Sequence, residues 1–264
     1  MTSQDNNQHL GYLHEMGIQS WVLRKQPSGD VVENTTSNVP VEVTEGDITV
    51  ADVREVRVNE IAEVVDVSQL AWSELQSMVS SCIACALHES RTNTVFGVGD
   101  HHAQVMVIGE APGADEDQQG EPFVGRAGQL LNNMLLAIGY KREQVYIANI
   151  LKCRPPGNRD PLPEEMSQCE SYLKRQIALV KPRVILAVGR IAAHNLLKVE
   201  TPIGKMRGSR YHYVGIPVVV TYHPAYLLRK PSEKAKSWDD LRLALSIIHA
   251  DENKGQNNGK EESA

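Results

Sequence analysis

The sequence predicts an α/β protein, a three-layer α/β/α sandwich with a central, mainly parallel four-stranded sheet. Three observations predict it. Short runs rich in β-branched residues recur at AQVMVIGE (103–110), QVYIANI (144–150), RVILAVG (183–189) and PVVVTYH (217–223). Stretches of helical period separate them, and strand, helix, strand in alternation is the pattern of a parallel sheet. The 264 residues, 41% hydrophobic, suffice for one sizeable core with residues left over for tails.

Residues 1–26 contain LGYLHEMGIQSWVLRKQ, with apolar positions at Leu10, Leu13, Met16, Ile18, Trp21 and Leu23 and a break at Gly17, a short amphipathic peptide suited to docking. Residues 27–66 are acidic, rich in Val, Asn, Thr and Ser and free of aromatics, which suits a disordered linker. A folded domain is expected over 67–250. It opens on SQLAWSELQSMVSSC, a helix with Ser68 as N-cap and Leu70, Leu75, Met78 and Val79 inward. The helices between and after the strands are expected near 126–138, 163–180, 190–198 and 232–249. The tail, 251–264, reads as disordered. No internal repeat is present.

The formal charge of −6 is unevenly spread. Between Pro27 and Asp66 ten acids face two bases, whereas residues 67–250 hold 21 bases against 17 acids. The expected domain is therefore mildly basic, which permits a nucleic-acid partner without requiring one. No apolar run reaches the ~18 residues that a bilayer span needs. The N-terminus has neither the basic nor the apolar region of an export signal, so a soluble, cytoplasmic protein is expected.

The only four cysteines are Cys82 and Cys85, as C-x2-C, then Cys153 and Cys169. Disulfides suit an oxidising compartment, whereas this pattern suits one metal or iron–sulfur centre. By the residues alone a four-cysteine zinc site and an iron–sulfur cluster both remain open.

In open α/β sheets the ligand crevice lies beyond the carboxyl ends of the strands, and three unusual segments fall there. GEAPGADEDQQGEPFVGRAGQLL (109–131) leaves the first strand, NILKCRPPGNRDP (149–161) the second and HPAYLLR (223–229) the last. Together with the cysteine spacing, they resemble the iron–sulfur uracil-DNA glycosylases, the family-4 branch of that superfamily, over about residues 70–248. The resemblance implies a base-flipping hydrolase that cuts the N-glycosidic bond of deoxyuridine in DNA and leaves an abasic site for base excision repair. It also implies a [4Fe–4S] cluster on Cys82, Cys85, Cys153 and Cys169.

Such chemistry passes through a sugar with oxocarbenium character and a departing uracil anion, so stabilising negative charge on the base lowers the barrier. The base must also leave the stack before any side chain reaches its anomeric carbon. By motif position Phe123 resembles the platform that stacks on the flipped base. Asn149 resembles the amide that donates to uracil O4 and accepts from N3–H, an order cytosine reverses. His223 resembles the histidine that hydrogen-bonds uracil O2. Glu110 is similar to a carboxylate that orients water or supports the cationic sugar. The turn at Ala111 would offer backbone amides to the base. Glu116, in the run DED, matches a position beside the methyl that distinguishes thymine; alternatively, the three acids simply favour a helix amino end.

For DNA, Lys152, Arg154 and Arg159 suit phosphate contacts, Leu227, or else Leu228, suits the wedge that fills the vacated stack, and Arg229 suits the backbone. The segment LHEMGIQSWVLRKQ also resembles the N-terminal segment of the clamp-loader psi subunit, which implies docking on the chi subunit. A monomer on DNA is the simplest assembly. The alternative is a catalytically inactive adaptor that uses the same fold to bind DNA at the replication machinery.

Overall fold

The computed structural model describes residues 66–261 of the chain. Residues 1–26, nearly all of the expected linker, and the last three residues of the tail lie outside them. In chain order the elements are helix α1 (Trp72–Ser80), α2 (Leu87–Ser90), strands β1 (Val98–Gly99) and β2 (Val105–Gly109), α3 (Ala114–Gln119), α4 (Arg126–Ala137), β3 (Tyr146–Asn149), α5 (Pro163–Val180), β4 (Val184–Val188), α6 (Arg190–Leu197), α7 (Ile203–Met206), β5 (Arg210–Tyr213), β6 (Ile216–Thr221), α8 (Pro224–Arg229) and α9 (Lys234–Glu261).

The sheet has six strands in the order β1-β3-β2-β4-β6-β5. The four expected strands form its parallel centre, with Gly109 opposite Asn149 and Ala187 opposite Val220. Two antiparallel edges, β1 on β3 and β5 on β6, complete it. The edges escaped the sequence for a physical reason. β1 is two residues long, and β5, RYHY, alternates exposed residues with partly buried tyrosines, so it carries no apolar run. A two-residue turn, Val214–Gly215, joins β5 to β6 with both residues at positive φ, as the twist of a hairpin demands.

Alternation along the strands sorts the core into two faces. Val105, Val107, Val184 and Leu186 point one way, onto Leu131 and Leu135 of α4 and Trp238 and Leu241 of α9. Met106, Ile108, Ile185 and Ala187 point the other way, onto Leu173 and Ile177 of α5 and Ala192 and Leu196 of α6. The three-layer sandwich follows. Full burial of β2, β3 and β4 explains their unbroken apolar character.

The first helix starts later than expected, at Trp72. Ser68 does not cap it; instead its N–H donates at 2.9 Å to the carboxylate of Asp66, which opens a short 3-10 turn over Val67–Gln69. Glu74 then reaches back to accept from the Ala71 N–H at 2.7 Å. Of the residues expected inward, Leu75 and Val79 are buried while Leu70 and Met78 are half-buried. They pack with Leu87, Phe96, Leu151 and Tyr172 into a small third cluster around the cysteines.

Candidate functional site

The carboxyl ends of β2, β3 and β6 open into one cavity of about 450 Å³. Glu110, Ala111, Glu116, Phe123, Asn149 and His223 all line it, with Arg159 and Arg229 at its rim. Asn149 ends β3 and Glu110 follows β2 directly, so the sheet itself fixes both.

Gly109 brings the first pair together. Its missing side chain leaves the space that the Phe123 ring and the Asn149 carboxamide occupy, and a methyl there would strike both. The Asn149 side chain is 2% exposed, yet its Oδ1 meets no donor in the protein. Buried acceptors are almost always paired, so an unpaired one aimed into a cavity points to a ligand donor.

Phe123 is 6% exposed and its backbone is left-handed, φ 53°, a rare state for a residue with a side chain. Its loop is tied on both sides. Arg142 donates to the carbonyls of Pro122 and of Phe123, the latter at 3.2 Å. Glu116 accepts from the N–H groups of Val124 at 2.9 Å and Gly125 at 3.1 Å through one oxygen, and from Gly113 at 3.1 Å through the other. Arg142 is a contributor that sequence reasoning missed, because nothing in its local pattern shows that it reaches back 19 residues.

His223 lies with its ring 5.6 Å from the Phe123 ring, the two planes 31° apart. It also caps α8: its Nδ1 accepts from the Ala225 N–H at 3.2 Å. That bond fixes the tautomer, because an accepting Nδ1 leaves the proton on Nε2. Burial, aided by Arg229, holds the imidazole down to about 4. The ring is therefore a neutral donor near pH 7. Glu110 is shifted the other way, up to about 6, first by burial and then by Asp160, against the pull of Arg190. All three acids of the DED run lie in the first turn of α3, as helix-end electrostatics favour. Glu116 nonetheless faces the cavity as well.

Two expected DNA contacts are overturned. Lys152 is 1% exposed, with its ammonium bonded inside the protein, so no phosphate can reach it. Leu227 is wholly buried against the core beneath α8, because a short amphipathic helix needs an apolar inward residue at that position. Leu228, one position on, is only partly buried. Arg154 is half-buried and donates to the Asn158 carboxamide at 2.8 Å. Arg159 is exposed but paired through two bonds with Glu165, at 2.9 and 2.6 Å. Arg229 is exposed at the end of α8.

The four cysteines, none of them in a disulfide, line a second cavity with Arg91, Lys152 and Tyr172. N–H donors point at two of the sulfurs: Arg91 reaches Cys153 at 3.1 Å and the Lys152 backbone reaches Cys169 at 3.3 Å. Burial pushes Cys153 up, and Cys169 to about 11, so a thiolate at either place calls for bound positive charge beside it. Among the described residues no trio of metal-ligating side chains closes on a single-ion position. Four cysteines around one cavity, with N–H donors on two of their sulfurs, suit a larger, thiolate-held group.

Comparison with known proteins agrees with this geometry. A family model described as the uracil DNA glycosylase superfamily matches residues 96–242. The type-4 uracil-DNA glycosylase of Archaeoglobus fulgidus is 46% identical over 172 residues, 62% of this chain and 86% of that protein. Those of Thermotoga maritima and Pyrobaculum aerophilum are 43% and 42% identical, each over 64% of this chain and 91% of their own length. Among the described residues, no helix is long and apolar enough to cross a membrane.

Proposed function

We propose that the chain, which belongs to the uracil DNA glycosylase superfamily, holds an extruded uracil in the cavity at its strand ends and hydrolyses the bond joining that base to DNA. The chain is a uracil-DNA glycosylase, a hydrolase acting on N-glycosyl bonds, and uracil-containing DNA is its partner; the inactive-adaptor alternative is not favoured. The observation that carries the residue roles is the unpaired Oδ1 of Asn149, buried beside the Phe123 ring.

In this reading Phe123 stacks on the base, and Asn149 accepts from N3–H while its amide donates to O4. The neutral His223 donates from Nε2 to O2, where negative charge grows as the bond breaks. A neutral donor suits this task, because the proton stays on the imidazole and no ion has to be desolvated. The Glu110 carboxylate faces the sugar, orients the attacking water and supports the cation. Arg229 and Arg159 border the pocket where the phosphates would run, with Arg154 nearby on the same loop as Arg159 and Leu228 as wedge.

Glu110 gives a pH test. Its carboxyl is raised to about 6, so it is protonated below that value and ionised above it. kcat/KM on uracil-containing DNA is expected to fall about tenfold per pH unit below about 6, and Glu110→Gln is expected to flatten that limb. An unchanged limb in the variant would assign it elsewhere.

Glu116 serves both as the loop's anchor and as the neighbour of C5. Glu116→Ala is expected to cost about 2–4 kcal/mol of stability from its lost charged hydrogen bonds. It is also expected to raise thymine release above background. Stability loss without thymine release would leave Glu116 as an anchor only.

We read the cysteine centre as a [4Fe–4S] cluster, which the four cysteines around one cavity and the N–H donors on Cys153 and Cys169 support. When bound it supplies a covalent tie between the 82–85 turn, the β3 loop and α5. Iron and sulfide in equal amounts, with absorption near about 400 nm, are expected of the purified protein. Colourless protein with stoichiometric zinc would overturn the assignment. Residues 1–26 remain our proposed docking peptide, for the clamp-loader chi subunit, on a monomeric enzyme; a pull-down with that peptide recovering no chi subunit would remove the idea. The decisive assay for the activity is incubation with a uracil-containing oligonucleotide followed by alkali, with strand cleavage at the uracil expected and intact strands excluding it.

A further inference from the structure

The chain from Asn149 to Cys153 runs straight from the amide in the base pocket to a cysteine of the centre, and hydrogen bonds hold its main chain step by step. Ile150 N–H donates to Gly109 O at 2.9 Å, Leu151 N–H to Glu110 O at 3.1 Å, and Lys152 N–H to Cys169 Sγ at 3.3 Å. Val95 N–H in turn donates to Lys152 O at 2.7 Å. The Lys152 side chain then folds back against the direction of the chain. Its Nζ donates at 2.9 Å to Asn149 O, and at 2.6 Å to Gln176 Oε1 on α5. Gln176 is itself oriented, since its Nε2 donates to Phe96 O at 2.8 Å and meets Tyr146 Oη at 3.1 Å.

An ammonium at 1% exposure is costly, and a methionine would fill the same space without that cost. Its bonds say what it does there. It grips the carbonyl of Asn149 itself, in one of the two peptide groups that flank the α-carbon bearing the carboxamide, at the last residue of β3. The Lys152 main chain meanwhile donates to Cys169 Sγ at 3.3 Å, so one residue touches both the cysteine centre and the Asn149 carbonyl.

We propose that Lys152 is a positioning residue: its ammonium, held between the four-cysteine centre and the Asn149 carbonyl, fixes the end of β3 so that the Asn149 carboxamide meets the base in register. This rests on the roles given above to Asn149 and the cysteines. It makes the cysteine centre a support for base recognition as well as a tie between loops.

The test is a cycle on the cluster-loaded, full-length protein: Lys152→Met, Asn149→Ala and the double variant. Single-turnover cleavage of uracil-containing DNA, affinity for abasic-site DNA, and iron per chain are each measured. Lys152→Met is expected to keep its iron and to bind abasic DNA within about twofold of the parent, while cleavage falls about 100-fold, the usual price of misplacing a reacting group by an ångström. In the Asn149→Ala background the same change is expected to cost less than about threefold, since the two act as one unit. Equal factors in both backgrounds would overturn the proposal, as would a loss of DNA affinity that matches the loss of cleavage. Full cleavage by Asn149→Ala alone would instead overturn the role of Asn149 itself, and this inference with it. If Lys152→Met does not fold, Gln176→Leu, which removes the outer anchor along with its bonds to Phe96 O and Tyr146 Oη, is expected to cost about tenfold in cleavage and to show the same lack of additivity.

Discussion

Asn149→Ala is expected to lower cleavage of uracil-containing DNA by about 1000-fold while leaving affinity for abasic DNA near that of the parent. The estimate takes two hydrogen bonds to the base edge at about 2 kcal/mol each, or about 4 kcal/mol of barrier. The structure makes these bonds unusually dependent on one residue. Asn149 Oδ1 has no partner within the protein, so in the proposed reading the base is its first donor and truncation would leave the N3–H buried against carbon. Stability is expected to change little or to rise, since the free enzyme loses an unsatisfied polar atom. A variant that cleaves within tenfold of the parent would remove the carboxamide from base recognition.

His223→Ala is expected to cost about 100- to 1000-fold in kcat, the range for removing one donor from a developing oxyanion. A second consequence separates this from misfolding. His223 Nδ1 caps α8 through the Ala225 N–H, so the variant is expected to lose about 1 kcal/mol of stability, a modest drop in Tm beside a large one in rate. The pH profile distinguishes the two titrating groups. With the imidazole held down to about 4, the limb near pH 6 belongs to Glu110 and is expected to persist in residual His223→Ala activity. Disappearance of that limb would mean that the histidine, not the carboxylate, sets it.

The parallel centre of the sheet was legible because burial on both faces leaves an unbroken β-branched run, and that signal survives without any alignment. β5 was illegible for the opposite reason: as a half-solvated edge, RYHY alternates exposed polar residues with tyrosines that only partly bury against the core, leaving no apolar run. The pocket residues could be named because Gly/Pro-rich turns at strand ends are chemically distinctive. Burial within those same segments could not be. Lys152 and Leu227 sit in motifs rich in exposed residues, yet tertiary packing turns both inward, one onto a carbonyl and a glutamine and the other onto the core. Arg142 shows the limit most clearly, since its contact with the Phe123 loop depends on how α4 returns to the sheet.

Gly109 carries a consequence for anyone wishing to widen the enzyme's appetite. With the phenyl ring and the carboxamide both resting over one bare α-carbon, any side chain at position 109 crowds the floor of the pocket, and shortening either neighbour removes a group proposed to hold the base. Room for bulkier lesions is therefore to be sought at the rim, where Pro155 and Asn158 border the opening on a loop that carries neither the base-reading amide nor the stacking ring.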